Sequence, residues 1–285
     1  MGIVDIIKKG LSSFQIKIIA VVIMTIDHLA AYQILTTDNH TNSIMRMIGR
    51  IAAPLFLFLL VEGLHYTRSK TKYVTRLYIF SFSFQFIIEI LTMIFTKQGN
   101  AFLAGNIFQT FFYTALYITC IEKIIKKDKN IIAPVVFMFI PLALVVVHQW
   151  VSGLNYSGNV YEFIKIILNV FCPSPFTIEY SFIFVILGVL WYFINNKYIN
   201  CALFIVLSLF SYAVDVNVFY NPNSDLSFWH LFTSPQWYMV FAVIFILLYN
   251  GKKGKYGLKY FFYIYYPVHM ILFLIITTYI LHRWK

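Results

Sequence analysis

The feature that most constrains this chain is a succession of long apolar runs, at 16–36, 44–65, 73–95, 102–122, 131–150, 177–194, 199–214, 236–250 and 258–281. A helix rises about 1.5 Å per residue, so roughly 20 apolar residues cross the hydrocarbon of a bilayer. Inside a bilayer every backbone N–H and C=O needs an internal partner, and helices supply one. The expected fold class is therefore all-α, a polytopic transmembrane helical bundle of about nine spans, forming a single integral membrane domain over 1–285. Composition agrees. The chain is 60% hydrophobic and 12% charged, against roughly 25% charged in a soluble domain. A soluble globule of this length has too little interior to hide so much apolar surface.

The segment 159–171 reads differently. Glu162, Lys165 and Asn169 make one polar face opposite Phe163, Ile167 and Val170, which suits an interfacial or re-entrant helix. With nine spans the basic clusters Arg68/Lys70/Lys72, Lys123/Lys126/Lys127/Lys129, Lys197 and Lys252/Lys253/Lys255 all fall on one side. The positive-inside rule makes that side the cytoplasm, with the N-terminus there too. A tenth span at 159–171 would put the Lys252 cluster outside. The expected location is the cell (plasma) membrane, multi-pass. Residues 1–14 carry no apolar signal core, and Ile6 stands where myristoylation requires Ser or Thr.

The net charge of +11 fits basic loops facing anionic headgroups, the lipid bilayer being the expected partner, rather than nucleic acid. Cys120, Cys172 and Cys201 are scattered through apolar sequence and form neither a disulfide framework nor a zinc spacing. No metal site is expected.

Ionisable side chains inside a span are costly and point to function. The first span holds Lys17, Asp27 and His28. Eleven positions separate Lys17 from His28, about 16 Å of helix and about 20° of rotation, so one face carries both. An anion at the inner surface and a reaction centre deeper in the membrane could share that helix, a separation comparable to an extended pantetheine arm. Histidine can take a proton from an amine or hydroxyl at neutral pH, and Asp27 could orient it; the bland alternative is interhelical hydrogen bonding. In the second span Arg46 suits snorkelling, Arg50 suits burial and pairing with Asp27, and Glu62 suits pairing with Arg68 or Arg76 or a functional role. Arg68, Lys72 and Arg76 could bind a nucleotide's phosphates, though the positive-inside rule also accounts for them. His269, after Pro267, lies at the depth of His28 as a second acid/base candidate. Glu179, Gln236 and Trp237 sit at outer span ends and could face an acceptor.

Several stretches carry a resemblance: Ile-Asp-His (26–28), Gly-Arg-Ile-Ala-Ala-Pro-Leu-Phe (49–56), Val-Glu-Gly (61–63), Gly-Asn-Ile-Phe (105–108), Gln-Trp (236–237), Tyr-Asn-Gly-Lys-Lys-Gly (249–254) and Tyr-Tyr-Pro-Val-His (265–269). In that order, over nearly the whole chain, they resemble the TraX family, membrane proteins associated with N-terminal acetylation of pilin. The Lys17-to-His28 spacing also resembles the Arg/Lys-x10-His pattern of acyltransferase-3 membrane enzymes, which acetylate glycans with cytoplasmic acetyl-CoA. That second resemblance implies His28 as the catalytic histidine and Lys17 as the basic partner. The Arg-x-x-Arg of those enzymes is not matched, since Tyr73 stands three residues before Arg76.

Together these readings give a membrane-embedded acetyltransferase, an acyltransferase moving acetyl from acetyl-CoA to a peptide amine or glycan hydroxyl. His28, Asp27 and His269 would be catalytic, with Lys17, Arg68, Lys72 and Arg76 holding the donor. The rival from another class is a transporter or export-assembly protein without chemistry. Transporters often show inverted repeats and paired broken helices, and neither is visible here. A purely structural membrane component is the third reading, and it leaves Lys17, Asp27 and His28 unexplained.

Overall fold

A computed structural model describes residues 9–97, 105–127, 130–153, 158–175, 178–215, 235–254 and 259–281. The described residues are all-helical: α1 Ser13–Ala31, α2 Asn39–Gly49, α3 Ala52–His65, α4 Lys70–Lys97, α5 Ile107–Ile125, α6 Ile132–Gly153, α7 Asn159–Phe171, α8 Ser181–Ile194, α9 Lys197–Asp215, a 3-10 turn Gln236–Phe241, α10 Ala242–Leu248 and α11 Lys259–Ile275 running into a π-turn Ile276–Ile280. Among the described residues six stretches are long and apolar enough to cross a membrane: Ser13–Ala31, Asn39–His65, Lys70–Ile94, Ile132–Gly153, Lys197–Val214 and Phe261–Ile280. The protein is a membrane protein on that ground. Three expected spans are less clear-cut. Gln109, Thr110, Thr114, Thr119 and Glu122 dilute the apolar character of α5, and Ser181–Ile194 and Gln236–Leu248 are short. Helix α7 has 13 residues, about 20 Å of rise, short of a bilayer's hydrocarbon.

The contacts group into two compact units, residues 1–59 with 194–285, and residues 60–193. In the first, Ser12 caps α1: its hydroxyl accepts from Gln15 N–H while the Gln15 side chain accepts from Ser12 N–H at 2.9 Å, a reciprocal pair that satisfies two end donors. Buried Ile16, Ala20, Ile23, Asp27 and Ala30 mark the packed face of α1, and α2 and α11 lie against the helix. The α1–α2 approach requires Gly49, because a Cβ there would overlap the Asp27 side chain. Asp38 caps α2 by accepting from Thr41 N–H at 2.8 Å and Thr41 Oγ1 at 2.6 Å. Those two bonds hold its carboxyl below the ordinary value. The chain breaks helix at Arg50–Ile51, so Pro54 falls in the first turn of α3, where its missing N–H costs little.

Helices α1 and α11 run parallel. Successive contacts pair Lys17 with Phe262, Thr25 with Tyr265, His28 with His269, and Tyr32 with Phe273 and Thr277, both numberings rising together. The loop before α11 closes on the start of α1. Leu11 N–H donates to Leu248 O at 2.7 Å, Asn250 N–H to Leu11 O at 3.0 Å, Ser13 N–H to Lys252 O at 2.8 Å and Phe14 N–H to Lys253 O at 3.2 Å. Gly254 has φ +89°, and a Cβ there would press on Phe14 and Ser12 at 2.8–2.9 Å, so only glycine fits.

In the second unit Tyr113, Tyr117, Ile178 and Val185 form a buried core, flanked by Phe112, Leu116, Met138, Phe182 and Val189. Two phenols tie its segments to backbone: Tyr117 donates to Met138 O at 3.1 Å, and Tyr113 donates to Pro173 O. Helix α7 exposes Val160, Phe163, Ile164 and Ile167 while Glu162 and Lys165 pair at 3.3 Å.

Candidate active site

His28 and His269 meet through Nδ1 of His28 and Nε2 of His269 at 2.6 Å. The proton positions follow from the far side of the pair. His269 Nδ1 lies 2.7 Å from Tyr265 O, a carbonyl that only accepts, so that nitrogen carries hydrogen. With both rings neutral, His269 Nε2 is then the acceptor and His28 Nδ1–H the donor. His28 Nε2 is left with its lone pair. His269 is 4% exposed and stacks on Tyr265 at 4.8 Å between ring centres. Tyr265 in turn is fixed on α1: Thr25 Oγ1 donates to Val21 O at 2.8 Å, so the phenol, 2.7 Å away, donates to Thr25. One base is held by a chain of bonds spanning two parallel helices.

Asp27 stands next to this pair, its Oδ2 4.0 Å from His28 Nε2. Arg46 donates to the same oxygen at 2.8 Å, and Arg50 Nη2 lies 3.7 Å from Oδ1. The expected pairing of Arg50 with Asp27 is present, and Arg46, expected to snorkel, makes the shorter contact. Gly49 explains this, since α2 comes close enough for its last turn to deliver both arginines. Arg50 also reaches Gln236 Oε1 at 3.5 Å, and its buried Nε has no partner. Trp237 packs among Tyr212, Tyr238 and Phe241. Asp27, Arg46, Arg50 and Gln236 thus gather beside His28, carrying one net positive charge.

Lys17 sits three turns nearer the start of α1, half-buried, its ammonium 5.6 Å from the centre of the Phe262 ring. Phe262 and His269 are both on α11, so Lys17 and His28 do share a face of α1. The other donor-side candidates belong to the second unit. Arg68 and Lys72 are exposed, and Arg76 lies 6.0 Å from the Tyr73 ring with Nη1 buried and unpartnered. Their neighbour Lys70 is committed to Glu122 and the Tyr192 hydroxyl, and Lys126 completes that cluster at 2.8 Å. Glu62 is half-buried. Glu179 faces Gly105, where a Cβ would come within 2.6 Å of its carboxylate, and its backbone carbonyl accepts from Thr110. Glu179 is therefore placed by the Gly-Asn-Ile-Phe stretch.

The second unit holds a polar ladder that sequence reading missed. Gln85 Oε1 accepts from Asn106 and Gln109, each at 3.1 Å. Gln85 then donates to Glu89 at 3.1 Å, and Asn169 of α7 donates to the same Glu89 oxygen at 3.2 Å. Asn106 also donates to Ser81 O at 2.9 Å. The available signal was Ser81, Gln85 and Glu89 at i, i+4 and i+8, one polar stripe on an apolar helix.

A family profile described as TraX protein matches residues 12–277. The chain is also similar to a protein of Dichelobacter nodosus named probable fimbrial assembly protein FimC, serogroup H1, with 24% identity over 269 residues, covering 92% of this chain and 93% of that one. No solved structure matches. The profile spans both units and every motif considered above, from the capping turn of α1 to the π-turn after α11, and the chain accordingly belongs to the TraX protein family.

Proposed function

We propose that this protein is a membrane-embedded acetyltransferase, carrying acetyl from cytoplasmic acetyl-CoA to a peptide N-terminal amine or a glycan hydroxyl at the membrane. The observation that carries the reading is the free Nε2 of His28, left unprotonated by the His269–Tyr265 chain. As the acceptor nitrogen or oxygen bonds to the thioester carbonyl carbon, its proton passes to His28 Nε2. The C–S bond then breaks, and the same proton goes to the leaving thiolate to give coenzyme A. Asp27, 4.0 Å away, faces the imidazolium while it exists. The donor's nucleotide would lie toward Lys17, with its arm following α1 inward.

The parallel packing of α1 and α11 supports the expected topology. Two spans that cross in one direction are separated by an odd number of other crossings, which nine spans satisfy and ten do not. On this reading the N-terminus is cytoplasmic and residue 285 lies outside, in the plasma membrane. Reporter fusions at the two ends test it, and a cytoplasmic signal at both would refute the odd count.

A second reading has its own support. The Dichelobacter nodosus relative is named for fimbrial assembly, and an assembly protein without chemistry would use the same buried polar residues as interhelical contacts. Membranes containing the protein, given acetyl-CoA labelled in the acetyl group, separate the two. Mass spectrometry of surface peptides and glycans should find labelled acetyl that depends on His28. Absence of any labelled acceptor from cells that assemble fimbriae normally would favour the assembly reading.

A further inference from the structure

We infer that Lys253, on the loop 249–254, forms with Lys17 a clamp for the phosphate groups of an anionic ligand at the Ser13 end of α1. The inference shares its donor side with the proposed function and does not depend on the transfer step.

The loop 249–254 is braced against the start of α1. The carbonyls of Lys252 and Lys253 accept from the N–H groups of Ser13 and Phe14, and Ser13 Oγ donates to Lys253 O at 3.0 Å. Asn250 adds Nδ2 to Lys9 O at 3.0 Å and a bond from Lys252 N–H to its own Oδ1 at 3.0 Å. Gly254 then seats against Ser12 and Phe14 in a conformation closed to other residues. The Lys253 backbone is therefore fixed one turn from Lys17, and its side chain is exposed. These bonds also consume the first N–H groups of α1, so an anion arriving there meets ammonium groups and no free helix-end amides.

The charges are unbalanced. Phe14 N–H holds Lys253 O at 3.2 Å, three residues before Lys17 on α1, and like charges on neighbouring segments repel. Among the described side chains of this unit the acids are Asp27 and Asp38, ten and more residues along from Lys17, about 15 Å up the helix. Asp27 is already engaged by Arg46. Two lysines, one half-buried on α1 and one exposed on a braced loop a turn away, thus share this end of the helix with no described acid beside them. A bridging phosphate relieves the repulsion, and a polyphosphate relieves it best.

Phosphate can come from a coenzyme A nucleotide or from a lipid headgroup. The test uses full-length protein in phosphatidylcholine nanodiscs, with coenzyme A, 3′,5′-ADP, acetyl-pantetheine and short-chain phosphatidic acid as probes. Lys253→Met should weaken coenzyme A and 3′,5′-ADP binding about tenfold, as loss of one charge-assisted contact does, matching Lys17→Met. Lys253→Arg should keep most of it, and Lys253→Glu, which would pair with Lys17, should abolish it. Acetyl-pantetheine should bind alike to all. Lys197→Met serves as control, since the Lys197 ammonium is held by Leu247 O at 2.9 Å; an equal loss there would mean diffuse surface charge and overturn the clamp. If Lys253→Met binds every phosphate probe as the wild type does, the clamp is wrong while the His28 chemistry stands. If only phosphatidic acid depends on Lys253, the clamp stands as a lipid site and the donor side of the proposed function falls.

Discussion

The two units treat buried polarity in opposite ways. In the second, polar groups meet and largely satisfy one another's hydrogen bonds. Lys70, Glu122, Tyr192 and Lys126 form one ionic cluster, and Gln85, Glu89, Asn106, Gln109 and Asn169 form one hydrogen-bonded ladder. The described exceptions are Arg76 Nη1 and Asn106 Oδ1. In the first unit polar groups remain open: a lone pair on His28, the unpartnered Nε of Arg50 beside Asp27, and two lysines with no described acid near them. A satisfied polar network specifies packing, whereas an unsatisfied one is poised to act on something else. The difference separates candidate chemistry from candidate scaffold within one apolar chain.

Four substitutions can break or sharpen that contrast. The largest effect is expected from His28→Ala. Transfer, measured with labelled acetyl-CoA in membranes, should fall by about 10² to 10⁴, with expression and extraction unchanged. Full activity would move His28 into the scaffold class. Next comes Lys70→Met, which leaves Glu122 with only Lys126 and the Tyr192 hydroxyl as partners. Losing one charge-assisted contact costs about 2 kcal/mol, so the detergent-solubilised protein should melt a few degrees lower while turnover per folded molecule holds. A loss of turnover without a loss of stability would place chemistry in the second unit.

His269 gives a finer division. Its role here is positioning, as the acceptor for His28 Nδ1–H, so His269→Gln, whose side-chain oxygen also accepts, should retain most of the rate. His269→Phe should lose about tenfold in kcat, the worth of one buried hydrogen bond, with the donor KM unchanged. Equal losses in the two variants would remove the tautomer argument. The smallest effect is expected from Glu89→Gln, which keeps the shape and one accepting oxygen of the ladder. Stability should fall by about 1 kcal/mol, read as a small shift in melting temperature, with no change in transfer.

Particular residues show how much was legible beforehand. The long spans were, because a bilayer imposes one length and one backbone solution on any apolar run. Helix periodicity alone put Lys17 and His28 on one face, and depth counting put His269 level with His28. The Gln85–Glu89 ladder is not legible as a network, because Glu89 is a single charge in its run and the amides it meets, Gln85 apart, come from other segments and carry none. Arg46 suggests snorkelling by its place near a span end, and no sequence signal reveals that Gly49 lets α2 close on Asp27. Lys253 looks in sequence like one more basic loop residue, because its bonds to α1 join positions about 240 apart in the chain.

The sequence by itself determined that this chain lives in a membrane, that its helices carry few charges, and which of those charges share a helix face. Those properties follow from solvent, helix period and side-chain chemistry, each of which acts locally along the chain. Tertiary structure alone decided which charges are spent on one another and which remain available. Pairing depends on distances between helices remote in sequence: His28 meets His269 because α1 and α11 lie side by side in parallel, and Glu122 meets Lys70 because α5 packs on α4.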